Sequence, residues 1–300
     1  MDGFVEMSGF LNPFDSWKFV YVISQWEFVP VLSTLLIIYA ILYYTAAYKI
    51  NSNPKIPAWD FKKSLSFSVA LFVIWIANFG PIGALDGTFF WAHMVQHLLV
   101  MMVAAPLFVL SSPVLLLIRV ASPSFRKSII TPVLRSNVVK WLTNPVVTWI
   151  FFAAVLLGTH FTPFYNFALE NDWAHLYIEH PLYLTAALMY FYPILEGNPQ
   201  PHKVPYAWRI VSLFTMMVPE TMTGFFIYAS THVRYPHYET VLRPFGSDAL
   251  TDQRLGGGLM WSMSMVIDSI WLAVAVSDWF RSEERRALRV DEEIKRGLAC

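Results

Sequence analysis

Charge is scarce in this chain of 300 residues: Asp, Glu, Lys and Arg together make up 14%, against about 25% in an ordinary globular domain. The 21 basic and 21 acidic residues cancel, so the basic excess of a nucleic-acid binder is missing. Cysteine is nearly absent as well, with Cys300 its single occurrence. That excludes a disulfide framework, a CxxC redox pair and a thiolate metal site. Any ligand must be held through nitrogen, oxygen or thioether sulfur. Internal repeats, low-complexity tracts and long linkers are also lacking. What is abundant is apolar: 56% hydrophobic and 17% aromatic residues, with a mean hydropathy of +0.47. Such a chain is not disordered.

A bilayer core about 30 Å thick takes roughly 20 apolar residues per helix. Seven stretches approach that length: Trp26 to Tyr48, Lys63 to Phe79, Phe90 to Ile118, Pro145 to Phe161, Ala174 to Leu195, Ala207 to Thr231 and Leu255 to Phe280. The third is long enough to tilt, or to end in a turn at Ser111-Ser112-Pro113. Basic residues of membrane proteins concentrate in cytoplasmic loops. Lys49, Lys55, Lys62 and Lys63 fall in the first loop, Arg119, Arg126, Lys127, Arg135 and Lys140 in the third, and Lys203 and Arg209 in the fifth; six more follow the last stretch. The opposite face has only Lys18, Arg234, Arg243 and Arg254. The expected architecture is therefore an all-α integral membrane protein of seven transmembrane helices, N-terminus outside and C-terminus cytoplasmic. Residues 1–25 form an extracytoplasmic segment, 26–281 the helical domain and 282–300 a charged tail that extends the last helix into solvent. Asp2, Glu6 and Asp15 precede Lys18, unlike the basic start of a cleaved signal peptide.

This topology puts seven of the eight histidines at the outer side, His202 alone being cytoplasmic. His93 and His97, four residues apart, share one helix face about 6 Å apart. His160 closes the fourth span, and His175 and His180 open the fifth. A lone interfacial histidine, such as His232 or His237, is ordinarily an anchor. Five at one depth on three consecutive spans point instead to a shared metal or haem site. Glu179 shares a face with His175, whereas regular α-helical spacing turns His180 about 100° away from Glu179, so His175 and His180 need not serve one ion. Pro181 either starts a helix capped by His180 or kinks one that began earlier.

Methionines Met94, Met101, Met222, Met260 and Met263 lie in the outer half or near the middle of their spans, where thioether sulfur could share a soft ion such as Cu(I). Most methionines in so apolar a chain serve packing. Glu220 and Asp268 fall midway along the sixth and seventh spans. Charged there, a carboxylate costs about 2.5–3.5 kcal/mol on insertion scales, so each is expected to be protonated, paired or facing a polar cavity, on a proton or metal path. Pro219 beside Glu220 removes a helical hydrogen bond. Gly256-Gly257-Gly258 lets the last helix start against a neighbour's backbone, and Asp252 is placed to accept from a ligating imidazole.

His93-Met94-Val95-Gln96-His97-Leu98-Leu99 with Ala105-Pro106-Leu107, His160 with Pro163 and Tyr165, His175 to His180 around Glu179, and Asp252-Gln253-Arg254-Leu255-Gly256-Gly257 before Met260-Trp261 resemble, in order, the signature of the CtaG family. These are the multi-span cytochrome c oxidase assembly factors of Gram-positive bacteria, distinct from the single-span copper chaperone of proteobacteria that shares the name. The resemblance implies a multi-pass protein of the bacterial cytoplasmic membrane that helps make a caa-type oxidase, most plausibly one of its copper centres, with no reaction of its own. Its partners would be oxidase subunits and other copper-delivery proteins. The matching positions are His93, His97, His160, His175, Glu179, His180, Asp252 and Gln253; Thr159 stands where the family commonly has an aromatic.

The residues themselves leave three metal chemistries open: copper handling, a zinc hydrolase using a carboxylate base, and axial haem ligation by two histidines. Known seven-span hydrolases carry histidines on their last helix, and Leu255 to Phe280 has none. A transporter using Glu220 and Asp268 would be expected to show a repeat.

Overall fold

The computed structural model describes residues 16–201 and 204–296. Most of the expected N-terminal segment, His202 and Cys300 lie outside them. Seven principal helices follow one another: α1 (Pro30–Asn51), α2 (Phe61–Leu85, interrupted at Gly80), α3 (Phe90–Val120), α4 (Pro145–His160), α5 (His180–Ile194), α6 (Tyr206–Tyr228) and α7 (Ala249–Lys295). No strand occurs among the described residues. Their starts follow from local chemistry. The side chains of Asp60, Asn144 and Asp248 accept the first free backbone N–H groups of α2, α4 and α7, and proline opens α1 and α4.

Five helices, α1, α2, α3, α6 and α7, are long and apolar enough to cross a bilayer. A sixth span results if α4 is joined to Phe164–Glu170, which leaves it at a 66° bend. The run expected between Ala174 and Leu195 is helical from Asp172, in three abutting segments that end with α5. Of the two alternatives for the third stretch, a turn lies at Ser112, which takes a left-handed φ of 56°, but helix resumes at Pro113 rather than ending there. Helix α7 continues beyond Phe280 as an exposed extension.

Polarity is inverted relative to a soluble bundle. Leu42, Phe72, Ile150, Phe214, Ile270 and Phe280 point outward, while His93, Gln96, His97, His160, Glu179, Glu220, Asp252, Gln253 and Asp268 are buried. An apolar belt around a polar interior suits a protein dissolved in lipid, where polar side chains must find partners inside the bundle. The chain is thus an all-helical membrane protein.

Three short π-helical turns interrupt the α-helical runs: Leu99–Ala104, Arg126–Ile130 and His175–Glu179. Each ends two residues before a proline, Pro106, Pro132 or Pro181. Proline has no N–H to donate and its ring crowds the carbonyl four residues back. Widening the preceding turn relieves both demands without breaking the helix. At Pro181 the outcome is neither a fresh start nor a simple kink, because His180 donates its N–H to the His175 carbonyl across the wide turn.

Glycines bring α6 and α7 into backbone contact. A Cβ on Gly224 would stand 2.6 Å from the Trp261 nitrogen, and one on Gly257 2.6 Å from the Tyr228 nitrogen. Without room for these atoms the helices must separate, so Gly224→Ala or Gly257→Ala is expected to destabilise the fold by about 1–3 kcal/mol, read as a lower thermal midpoint. Gly258→Ala is the control, since its Cβ meets nothing closer than 3.6 Å and should leave the midpoint nearly unchanged.

Candidate metal centre

The start of α3, the end of α4 and the π turn before α5 meet at one end of the bundle, and each brings histidine. On α3, the spacing of His93 and His97 sets their rings edge to face with centroids 4.1 Å apart. His160, last residue of α4, has its ring 6.2 Å from that of His97. The wide turn swings His180 back toward His175, ring centroids 4.2 Å apart, where regular α-helical spacing turns it aside. All five histidines therefore join one cluster, walled by Tyr165 and Tyr183.

Inside it, polar atoms lack partners. Both ring nitrogens of His93 and of His97, Nε2 of His160, Nε2 of His180 and Oε1 of Glu179 are buried without a hydrogen bond. Left so, each costs about 1–3 kcal/mol. Glu179 Oε1 lies 3.6 Å from His93 Nε2 and 3.9 Å from His97 Nε2, and the ligand atoms of these three residues are all within 4.8 Å of one another. Tetrahedral ligands with bonds of about 2.0–2.1 Å stand about 3.3 Å apart, so the set would have to draw in, by up to about 1.5 Å for its widest pair, to close on one ion. A carboxylate also supplies the counter-charge that a cation buried in low dielectric needs. The donor set fits a metal ion.

Neighbouring groups prepare the donors. His160 Nδ1 donates to the Leu156 carbonyl at 2.8 Å, which keeps the proton on Nδ1 and leaves Nε2 a free lone pair. Thr159, in place of an aromatic, accepts from the Tyr183 hydroxyl and fixes that wall. His175 bonds through Nδ1 to Glu179 Oε2 at 2.7 Å and through Nε2 to Asp86 Oδ2 at 3.1 Å. His175 is thus held between two carboxylates, while Glu179 Oε1 is turned to the free imidazoles; each of the two belongs to a group of close donor atoms. Sequence reasoning missed Asp86, which with His93 and His175 forms a second group of close donor atoms.

Below the histidines, a cavity of about 30 Å³ is lined by Met94, Met101, Met102, Met260, His97, His160 and Glu220. Three of the expected soft donors therefore face the cluster, and Met102 joins them. Met222 does not; it lies 44% exposed on the outer surface of α6, and Met263 is turned outward as well. Glu220 borders this cavity and contacts Asp268 across the α6–α7 seam, both carboxyls being buried.

Asp252 and Gln253 stand elsewhere. Asp252 accepts from the backbone of Phe90 at 2.8 Å and Trp91 at 3.2 Å and pairs with Arg243 at 2.9 Å. It fixes the first turn of α3, and so the height of His93, without touching an imidazole. Gln253 accepts from Arg234 N–H and donates to the His232 carbonyl, tying down the loop after α6. His237 bonds to the Gly87 carbonyl at 2.9 Å.

A second, larger cavity of about 240 Å³ opens beside the cluster, lined by Glu27, Asp86, Gln96, Asp172, His175 and His180 among others. Glu27, which precedes α1, has its carboxyl raised above the usual range, first by partial burial and then by the charges of Asp86 and Asp172, with His175 opposing.

Comparison with known proteins places this arrangement in a family. Similar sequences include uncharacterized proteins of Mycobacterium bovis and Mycobacterium tuberculosis, each 25% identical over 90% of this chain and 42% of their own length. One of Mycobacterium leprae is 23% identical over 89% of this chain and 41% of its own length. The chain thus spans about two-fifths of the curated relatives it matches. No solved structure matches. The profile described as cytochrome c oxidase caa3 assembly factor matches residues 41–282, a stretch that takes in α2 to α6, every histidine of the cluster and most of α7. The chain belongs to the cytochrome c oxidase caa3 assembly factor family.

Proposed function

We propose that this chain holds a copper ion as cargo at the His93–His97–Glu179 group and passes it to a cytochrome c oxidase subunit during formation of a copper centre. The observation that carries this reading is the set of unpartnered buried donors converging on one point. Imidazole suits copper, and the thioethers beneath suit its cuprous form. Two imidazoles and a carboxylate, with His160 and His180 at hand as exchange partners, make an open set from which an ion can leave. Ring packing this close leaves space for a single ion rather than a haem macrocycle. Zinc would suit the same nitrogens, and metal analysis separates the two.

The role is that of an assembly factor without catalysis of its own. Seven spans in the cell membrane, N-terminus outside, complete the reading: α4 with its bent continuation supplies one crossing and the helical run from Asp172 another. The cluster then lies at the outer face, where oxidase subunits and other copper-delivery proteins can reach it. A host that makes a caa-type oxidase but lacks its own family member provides the test. Wild-type chain should restore oxidase activity and His93→Ala/His97→Ala should leave it at background. Full restoration by that variant would overturn the proposal.

A further inference from the structure

The larger cavity has features that the buried group alone does not require. Glu27, Asp86 and Asp172 give it three carboxylates contributed by three separate stretches of chain. Gln96, 1% exposed, also lines this space, with its Oε1 unpartnered while its amide donates to the Ala77 carbonyl. His180, whose Nε2 is also unpartnered, lines it too. Carboxylates with a lone amide oxygen and a free imidazole are acceptors for a cation. Asp86 and His175, which line the cavity, form with His93 a group of close donor atoms that shares His93 with the buried His93–His97–Glu179 group. One imidazole therefore belongs to two adjacent donor sets, one beside the cavity and one sealed within the bundle.

We propose that this cavity is the inlet for the metal cation, with Glu27 and Asp172 gathering it, Asp86 and His175 forming a transient outer station, and His93 handing it inward. At the outer station the ion takes the place of the hydrogen bond between Asp86 and His175. This inference rests on the proposed metal site, and it concerns the rate of loading rather than the final amount. Charge lining a cleft raises the on-rate of an opposite ion by about 10–1,000-fold, less at high salt.

The experiment adds cupric ion alone to the detergent-purified full chain, stops loading with chelator at set times and measures bound copper. Glu27→Gln/Asp172→Asn should load about tenfold more slowly at low ionic strength, with a flatter salt dependence and the wild-type final stoichiometry. Glu27→Asp/Asp172→Glu, which keeps the charge, should load at the wild-type rate; if the amide variant fails to fold, the wild type decides, since its loading must slow as ionic strength rises and a salt-independent rate would overturn the inlet. Wild-type rate and salt dependence in the amide variant would overturn the inlet and leave the metal site standing. A lowered final stoichiometry in a folded amide variant would make these groups resting ligands, and equal slowing by the charge-conserving variant would make their role steric; either overturns the inlet. Failure of wild type to load copper at all would overturn both proposals.

Discussion

Alanine at both His93 and His97 is expected to abolish copper retention and, with it, any stabilisation of the fold by copper. These residues supply two of the three donors in the buried group and sit on α3 with 0% and 7% exposure, so solvent cannot replace them. For a ligand that binds only the folded state, stabilisation grows with concentration and reaches about 4 kcal/mol at a thousand times the dissociation constant. Wild-type protein should therefore melt several degrees higher with copper than without it. The double variant should melt at one temperature in both conditions. Thermal unfolding followed by circular dichroism, with and without copper, reads the difference.

The second large effect distinguishes Glu179 from His175. Glu179→Gln keeps size and shape but removes the negative charge that neutralises a cation in a buried site. His175→Gln removes the group that orients Glu179 from behind and leaves the three donors of the buried group in place. Loss of such an outer partner ordinarily lowers metal affinity by about 10–100-fold, and Glu179→Gln should lower it further. Competition against a chelator of known affinity gives the order directly. A larger loss for His175→Gln than for Glu179→Gln would mean that His175 is itself a ligand.

The side-chain geometry around Pro181 is where the sequence and the structure part company, and the reason is local. Regular α-helical spacing joins His175 to Glu179 and sends His180 elsewhere. Pro181, plainly visible, calls for a wide turn before it, and that turn brings His180 back beside His175 while Glu179 faces α3. The same cause acts at Pro106, where the wide turn Leu99–Ala104 buries Met101 and Met102 together. By contrast His93 and His97 lie in a regular stretch of α3, where their spacing alone places the rings side by side, and His160, at the end of an apolar run, joins them. Asp86 could not be found this way, because it lies between α2 and α3, 89 positions from its partner His175, with no period to point at it. Asp252, expected to accept from a ligating imidazole, instead holds the backbone that starts α3. For the fold, the apolar runs located the principal helices, and the glycines before Trp261 foretold a close approach that the α6–α7 seam provides.

The central claim is that the unpartnered imidazoles and Glu179 are a copper site. Full-length protein purified in detergent, loaded with copper, washed free of loosely held ion and analysed for metal tests it most directly, with X-ray absorption at the copper edge on the same sample. About one copper per chain is expected in the wild type, surrounded mainly by nitrogen and oxygen at about 2.0 Å, and none in His93→Ala/His97→Ala. Wild-type protein free of copper, or equal copper in both proteins, would contradict it.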